Sequence, residues 1–325
     1  MSLTVREETW PIAGSFTISR GSRTEVRVVV AEISQGGVTG RGECVPYAHY
    51  GESVEGVMAA IEAMADPIAD GLDRQALQSA LPPGAARNAL DCALWDVQAK
   101  RSGEPVWRLA GLAEPGPLIT AYTLSLDSPE AMGNAAAANA ARALLKLKLG
   151  GEGVVERVAA VRASAPQSRI IVDANEAWTV DLLAEASPEL ARLGVEMIEQ
   201  PLPAGSDGGL AGIERLVPLC ADESCHDSAS LEGLESRYDI INIKLDKTGG
   251  LTEALALADA ARAAGLGIMV GCMIGTSLSM APATLVAAHA SFVDLDGPLL
   301  LARDHQPGIV FEGSIMQPPP PALWG

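Results

Sequence analysis

Leu144-Leu145-Lys146-Leu147-Lys148-Leu149 is a short apolar run with two lysines set into it. It is too short for a helix and reads as a strand buried on both faces that ends in charge. The same signature returns downstream at 170–173, 195–199, 219–222 and 240–244, closed in turn by Asp173, Glu199, Asp222 and Lys244. The steps from Lys148 to Lys244 are 25, 26, 23 and 22 residues, room for one strand and one helix each. Runs at 119–124, 268–271 and 292–295 bring the total to eight, the last carrying Asp294 and Asp296. Alanine-rich stretches of helical length separate most of them. This alternation predicts an α/β fold built on an eight-stranded parallel β/α barrel.

In such a barrel the C-terminal ends of the strands open on one mouth, where the chemistry is placed. Six charges on five consecutive strands would therefore converge. Asp173, Glu199 and Asp222 are hard oxygen donors on adjacent strands, a set suited to Mg2+, with Mn2+ able to substitute. Lys148 and Lys244 stand four strands apart, on opposite walls. A substrate carboxylate held between them would have an ammonium on each face of its α-carbon. Removing a proton beside a carboxylate needs nearby positive charge to stabilise the anion and a lysine whose pKa is lowered. Lys146, two residues from Lys148 and on the same strand face, reads as an electrostatic helper to that base.

Outside the barrel, residues 1–115 read as mixed α+β. A β-branched run at 26–33, a Gly36-Gly37 turn and a resumed run at 38–44 predict a hairpin. Helical spacing covers 54–64 and 85–98, divided by Pro82-Pro83-Gly84. Residues 307–325 have no helical period and include the polyproline run 318–321.

Taken together, Lys146-Leu147-Lys148, Asp173-Ala174-Asn175, Glu199-Gln200-Pro201, Asp222-Glu223-Ser224 and Lys244 resemble the muconate-lactonizing subgroup of the enolase superfamily. The use of Lys bases with Mg2+ in enolase-superfamily sites is a worked example of pKa tuning in general enzymology. Within the subgroup, Ile243-Lys244-Leu245-Asp246-Lys247-Thr248-Gly249-Gly250-Leu251, Gly271-Cys272-Met273, Asp294-Leu295-Asp296-Gly297-Pro298 and Gly42-Glu43-Cys44-Val45-Pro46-Tyr47 resemble the dipeptide epimerases. The resemblance implies a (β/α)7β TIM-like barrel over 116–306 and an N-terminal α+β capping domain, to which 307–325 returns. It implies Mg2+ on Asp173, Glu199 and Asp222, and Lys148 and Lys244 as the acid/base pair. Asp294 and Asp296 would hold the substrate's ammonium, and Arg20, in a mobile loop at 19–23, would clamp a side-chain carboxylate. Gly271 and Met273, with the loop 273–278, would line the substrate side chain, and Tyr47, His49 and Tyr50 would shape the pocket. The reaction implied is interconversion of L-Ala-L-Glu and L-Ala-D-Glu in cell-wall peptide recycling. Muconate cycloisomerase, o-succinylbenzoate synthase, N-acylamino-acid racemase and a non-catalytic metal-dependent binding protein remain as alternatives.

The net charge of −18 disfavours nucleic acid as a partner. No apolar run is long enough to span a membrane and no signal peptide is read at the start, so the expected setting is cytoplasmic, with a small-molecule partner and room for a homo-oligomer. Five cysteines without a C-x-x-C pair suit a reducing compartment. Cys220, Cys225 and His226 lack a second ligand pair for zinc, and His226, His289 and His305 are scattered. Gly150-Gly151-Glu152-Gly153 lacks the spacing of a phosphate loop and reads as a connection.

Overall fold

The computed structural model describes residues 1–288 and 290–325; His289 lies outside them. The chain opens with strands β1 (Ser2–Ile18), β2 (Gly21–Gln35) and β3 (Val38–Cys44) in one antiparallel sheet. The β2–β3 turn is Gly36-Gly37, both at positive φ, as a two-residue hairpin connection requires. Two expectations change here. Strand β1 was not read from the sequence, because Pro11 and Gly14 break its pattern; a shift in register between Pro11 and Phe16 absorbs them. The expected loop at 19–23 is the tip of the β1–β2 hairpin, with only Ser19 and Arg20 in the turn.

Helices α1 (Val54–Glu62), α2 (Ala65–Ala69), α3 (Arg74–Ala80), α4 (Ala85–Ser102) and α5 (Val106–Leu109) follow. Helix α4 lies against β3 at Gly40 and Gly42. A Cβ on Gly42 would stand 2.1 Å from Ala89 O, and one on Gly40 2.2 Å from Val97 N. The bare backbone there lets Val29, Ala31 and Ile33 meet Ala89, Ala93 and Val97 in a closed apolar core.

Strand β4 (Leu118–Ile119) precedes the first barrel strand, β5 (Tyr122–Leu124). The run expected as one strand is thus two. The first half pairs outside the barrel with β14 (Ile315–Met316), itself joined to β13 (Phe311–Glu312). Seven more parallel strands complete the barrel: β6 (Leu144–Lys148), β7 (Arg169–Asp173), β8 (Val195–Glu199), β9 (Leu219–Ala221), β10 (Ile240–Ile243), β11 (Gly267–Gly271) and β12 (Phe292–Asp294). The Ala121 N–H donates to Val293 O at 2.8 Å and closes the circle. Helices α6 (Pro129–Ala138), α7 (Val154–Ser164), α8 (Val180–Arg192), α9 (Leu245–Thr248), α10 (Leu251–Ala263) and α11 (Ser277–Ala287) lie in the connections between them, and α12 (Gly297–Leu300) follows the last strand. After β8 and β9 the connections are short 3-10 turns. Pro201, Pro203, Gly205, Gly208 and Gly209 deny the first an α-helix.

Alternation along the strands fills the barrel in layers. One inward ring is apolar, drawn from every strand or the residue before it: Ala121, Leu144, Ile171, Met197, Cys220, Ile240, Met269 and Phe292. Two residues on, towards the mouth, the inward positions are Thr123, Lys146, Asp173, Glu199, Asp222, Asn242, Gly271 and Asp294. The apolar ring is the floor on which the polar layer rests.

The two parts of the chain are stitched together behind that layer. The Arg87 guanidinium on α4 donates to Thr248 O (2.7 Å) and Gly249 O (3.2 Å). Asp246 Oδ1 accepts from Val45 N (3.0 Å) and Asn88 Nδ2 (2.8 Å). At the far end Trp324 Nε1 donates to Cys92 O, and the Gly325 N–H to Asp96 Oδ1.

Candidate active site

A cavity of about 850 Å³, including open solvent at its mouth, lies between the barrel and the N-terminal sheet. The barrel contributes Lys146, Lys148, Asp222, Lys244, Met273, Asp294 and Asp296. The other wall is Phe16, Ile18, Arg20, Arg23, Tyr47 and Tyr50.

Lys146, Lys148, Lys244 and Asp222 line the cavity, and Asp173 and Glu199 lie beneath them. Lys148 Nζ meets Asp173 Oδ2 at 2.6 Å. Lys244 Nζ meets Asp222 Oδ2 at 2.7 Å. Lys146 Nζ touches Glu199 Oε2 (2.6 Å), Asp294 Oδ2 (2.7 Å) and Asp173 Oδ2 (3.3 Å). Asp173 and Glu199 are wholly buried. Burial pushes the Asp173 carboxyl up, but Lys148 and Lys146 outweigh it and hold it at about 2. Asp222 is likewise held well below the carboxylate range, against burial, by Lys244 and Lys247. Burial and Asp173 together raise Glu199. Burial would lower Lys146 and Lys244; the facing carboxylates dominate and raise both. For Lys244 this reverses the downward shift expected of a base, because the negative charge of Asp222 and Glu199 favours its protonated form.

The donor set fits a hard divalent cation. The lysine ammoniums keep the carboxylates from closing on one point, and no converged group of His, Cys, Asp or Glu forms among the described residues. Yet Glu199 Oε2, though paired in charge with Lys146, makes no hydrogen bond among the described residues. Asp173 Oδ2, Glu199 Oε2 and Asp222 Oδ2 all point to cations, and a cation is what they are placed to bind.

Backbone geometry fixes these ends. Asn175, Glu176 and Gln200, just after Asp173 and Glu199, all have positive φ. Gln200 Oε1 accepts from Asp222 N and Ser224 N, and its Nε2 donates to Leu202 O, Ser224 Oγ and Tyr238 Oη.

At the other end of the cavity Asp296 Oδ2 accepts from Thr123 N at 2.6 Å, and burial beside Asp294 raises it to about 7. Asp294 Oδ1 is buried without a hydrogen-bond partner among the described residues.

Arg20 reaches the cavity but is engaged. Its guanidinium donates to Glu223 Oε1 (2.9 Å), Tyr47 Oη (3.0 Å), Asn175 O (3.0 Å) and Glu176 Oε2 (3.2 Å). Arg23 lines the same cavity, stacked over Tyr47, and forms no ion pair among the described residues.

The expected lining residues differ in what surrounds them. At Gly271 a Cβ would stand 2.7 Å from Asn242 Oδ1 and 2.8 Å from Asn242 Nδ2. The glycine makes room for Asn242. Of the loop 273–278, only Met273 and Ile274 line the cavity. The chain then turns away, because Glu43 accepts from Thr276 N and Thr276 Oγ1 and draws the loop under β3.

Lys247 and Asn242 were missed as site residues. Lys247 was visible only as part of a quoted motif, and Asn242 sits in a strand where nothing local marks it.

Residues 1–111 match the mandelate racemase / muconate lactonizing enzyme N-terminal domain, and residues 131–319 the enolase C-terminal domain-like family. An L-Ala-D/L-Glu epimerase of Escherichia coli (strain K12) is 49% identical over 309 residues, 94% of this chain and 96% of that one. An N-acetyl-D-glutamate racemase of a Pseudoalteromonas species is 45% identical over 300 residues, 92% and 95% of the two chains. A crystal structure of an enolase family member from Agrobacterium tumefaciens with homology to dipeptide epimerases, holding sodium and L-Ala-L-Glu, superposes with a TM-score of 0.98. It is 56% identical and covers 99% of each chain.

Proposed function

The chain belongs to the mandelate racemase / muconate lactonizing enzyme family of the enolase superfamily, and on that footing we propose that it is a Mg2+-dependent dipeptide epimerase interconverting L-Ala-L-Glu and L-Ala-D-Glu. The observation that carries the reading is the pair of cavity-lining lysines, Lys148 and Lys244, on either side of the arc Asp173–Glu199–Asp222, with Asp294 and Asp296 in the same cavity.

Asp173, Glu199 and Asp222 would hold the cofactor. When bound, Mg2+ neutralises the carboxylates that keep Lys244 protonated and stabilises negative charge developing on the substrate's carboxylate. The residues of the chain do the rest. One of Lys148 and Lys244 takes the α-proton of the C-terminal residue, and the other delivers a proton to the opposite face. Lys146, tied to three carboxylates, keeps its proton and serves as fixed positive charge beside Lys148. The free Asp294 Oδ1 and the Asp296 carboxyl receive the substrate's ammonium. A glutamate side chain extends towards Arg20 and Arg23; Arg23, without an ionic partner among the described residues, supplies the charge, while Arg20 ties the hairpin tip to Glu223 and Glu176. The proposed setting is cytoplasmic recycling of cell-wall peptides, supported by five free cysteines.

The Pseudoalteromonas relative favours a second reading, racemisation of an N-acylated glutamate, in which Asp294 and Asp296 meet no ammonium. One assay separates the two. In D2O with Mg2+, L-Ala-L-Glu should gain one deuteron at its glutamate α-carbon and yield the D-Glu diastereomer, with N-acetylglutamate far slower. The reverse preference would install the second reading. In the same assay Lys148→Ala and Lys244→Ala should each lose about 10²–10⁴-fold in epimerisation, and full activity in both would sink the two-lysine scheme.

A further inference from the structure

Each of the three carboxylates assigned to the metal shows its two oxygens to different kinds of partner. The outer oxygens, Asp173 Oδ2, Glu199 Oε2 and Asp222 Oδ2, face the lysines that line the cavity. The other oxygen of each is held from the protein side. The Asn175 N–H donates to Asp173 Oδ1 at 2.8 Å. Asn242 Nδ2 donates to Glu199 Oε1 at 2.8 Å. Lys247 Nζ donates to Asp222 Oδ1 at 2.7 Å.

These three donors cannot swing aside as the cavity lysines can. The Asn175 N–H is backbone, set by a left-handed residue with φ 44°. The Asn242 amide lies in the slot left by Gly271, and a carboxylate only accepts, so its NH2 must face Glu199. Lys247 is buried and spends its remaining two donors on Asp222 O (2.6 Å) and Asn242 O (2.8 Å), which saturates the ammonium. The separation is least clean at Asp173, whose outer oxygen also lies 3.2 Å from Asn175 Nδ2.

A carboxylate with both oxygens free can chelate a large ion such as Ca2+, which takes six to eight oxygens at about 2.3–2.6 Å. With one oxygen tied, it offers a single point. Three single points suit Mg2+, which requires near-octahedral geometry at about 2.0–2.1 Å and keeps its other positions for water or substrate. We infer that Asn242 and Lys247 are positioning residues that restrict Glu199 and Asp222 to one-oxygen ligation and so set the site's preference for Mg2+ over Ca2+. This rests on the assignment of the metal to Asp173, Glu199 and Asp222.

The test is calorimetric titration of the metal-free protein with Mg2+ and with Ca2+, without substrate. The parent should bind Mg2+ the more tightly. Asn242→Ala and Lys247→Met should each lower the Mg2+/Ca2+ affinity ratio by roughly tenfold, within the range seen when groups behind metal ligands are removed. A folded variant that binds both ions more weakly by the same factor would show a merely structural role and overturn the inference. Should Lys247→Met fail to fold, Asn242→Ala and the parent still decide it, since a parent that binds Ca2+ as tightly as Mg2+ overturns it alone. A parent that binds neither ion, or binds Mg2+ as well after Asp173→Asn, refutes the metal assignment itself, and this inference with it.

Discussion

Single residues in this fold are balanced against burial, and Asp246 shows the balance most simply. Burial pushes its carboxyl to about 7, against the hydrogen bonds from Val45 N and Asn88 Nδ2 that work downward. A carboxyl raised in the folded state binds its proton more tightly there than when unfolded. Stability from this group is therefore greatest at low pH and is lost as pH rises towards and through 7. The cost above that point is on the order of a few kcal/mol. Both bonds end on Oδ1, which an asparagine can reproduce. Asp246→Asn should come nearest the parent's thermal stability below about pH 4, the ordinary carboxyl value, and exceed it increasingly as pH rises to about 7; a difference from the parent that does not grow over that window would refute the shift. The residue scale is also where the sequence was least legible. Charges ending apolar runs exposed Asp173, Glu199, Asp222, Lys148 and Lys244. Asn242 and Gly271 act only because neighbouring strands bring an amide beside a missing Cβ, and no pattern within either strand records that.

Elements were legible where one period held throughout. The strands from β6 to β12 are apolar runs closed by charge or glycine, and the helices α1 and α4 begin where their spacing does. Legibility failed where local chemistry and tertiary pairing disagreed. Strand β1 survives Pro11 and Gly14 because β2 offers it a partner along nearly its whole length. Helix α4 gives the prediction proper to this scale. It is held against β3 by the absence of two side chains, so Gly42→Ala would drive a methyl group into the carbonyl of Ala89. Overpacking of this kind typically costs about 1–3 kcal/mol. Denaturant unfolding should show a loss at or above that range, while a fully stable variant would mean the helix can slide outward freely.

For the whole molecule the notable fact is that cations are already in place. Lys146, Lys148 and Lys244 neutralise the buried carboxylates that would otherwise repel one another. A chelator such as EDTA should therefore abolish α-proton exchange yet leave the fold standing. A metal at a hundred times its dissociation constant adds only about 2.7 kcal/mol. That corresponds to a fall in melting temperature of roughly 10 °C or less on removal. Loss of cooperative unfolding on chelation would show that the lysines do not take over.

The apolar floor of the barrel has one more effect. Ala121, Leu144, Ile171, Met197, Cys220, Ile240, Met269 and Phe292 close the vessel from below, so the cavity reaches bulk water on the side away from them. A hydrogen lifted from one face of the substrate thus has no drain behind it. It stays on its lysine until it returns to the substrate or exchanges with water at the mouth, and substrate released unconverted carries a tally of how often exchange came first. Isotope content in recovered starting material becomes a clock for that exchange, readable without labelling the protein.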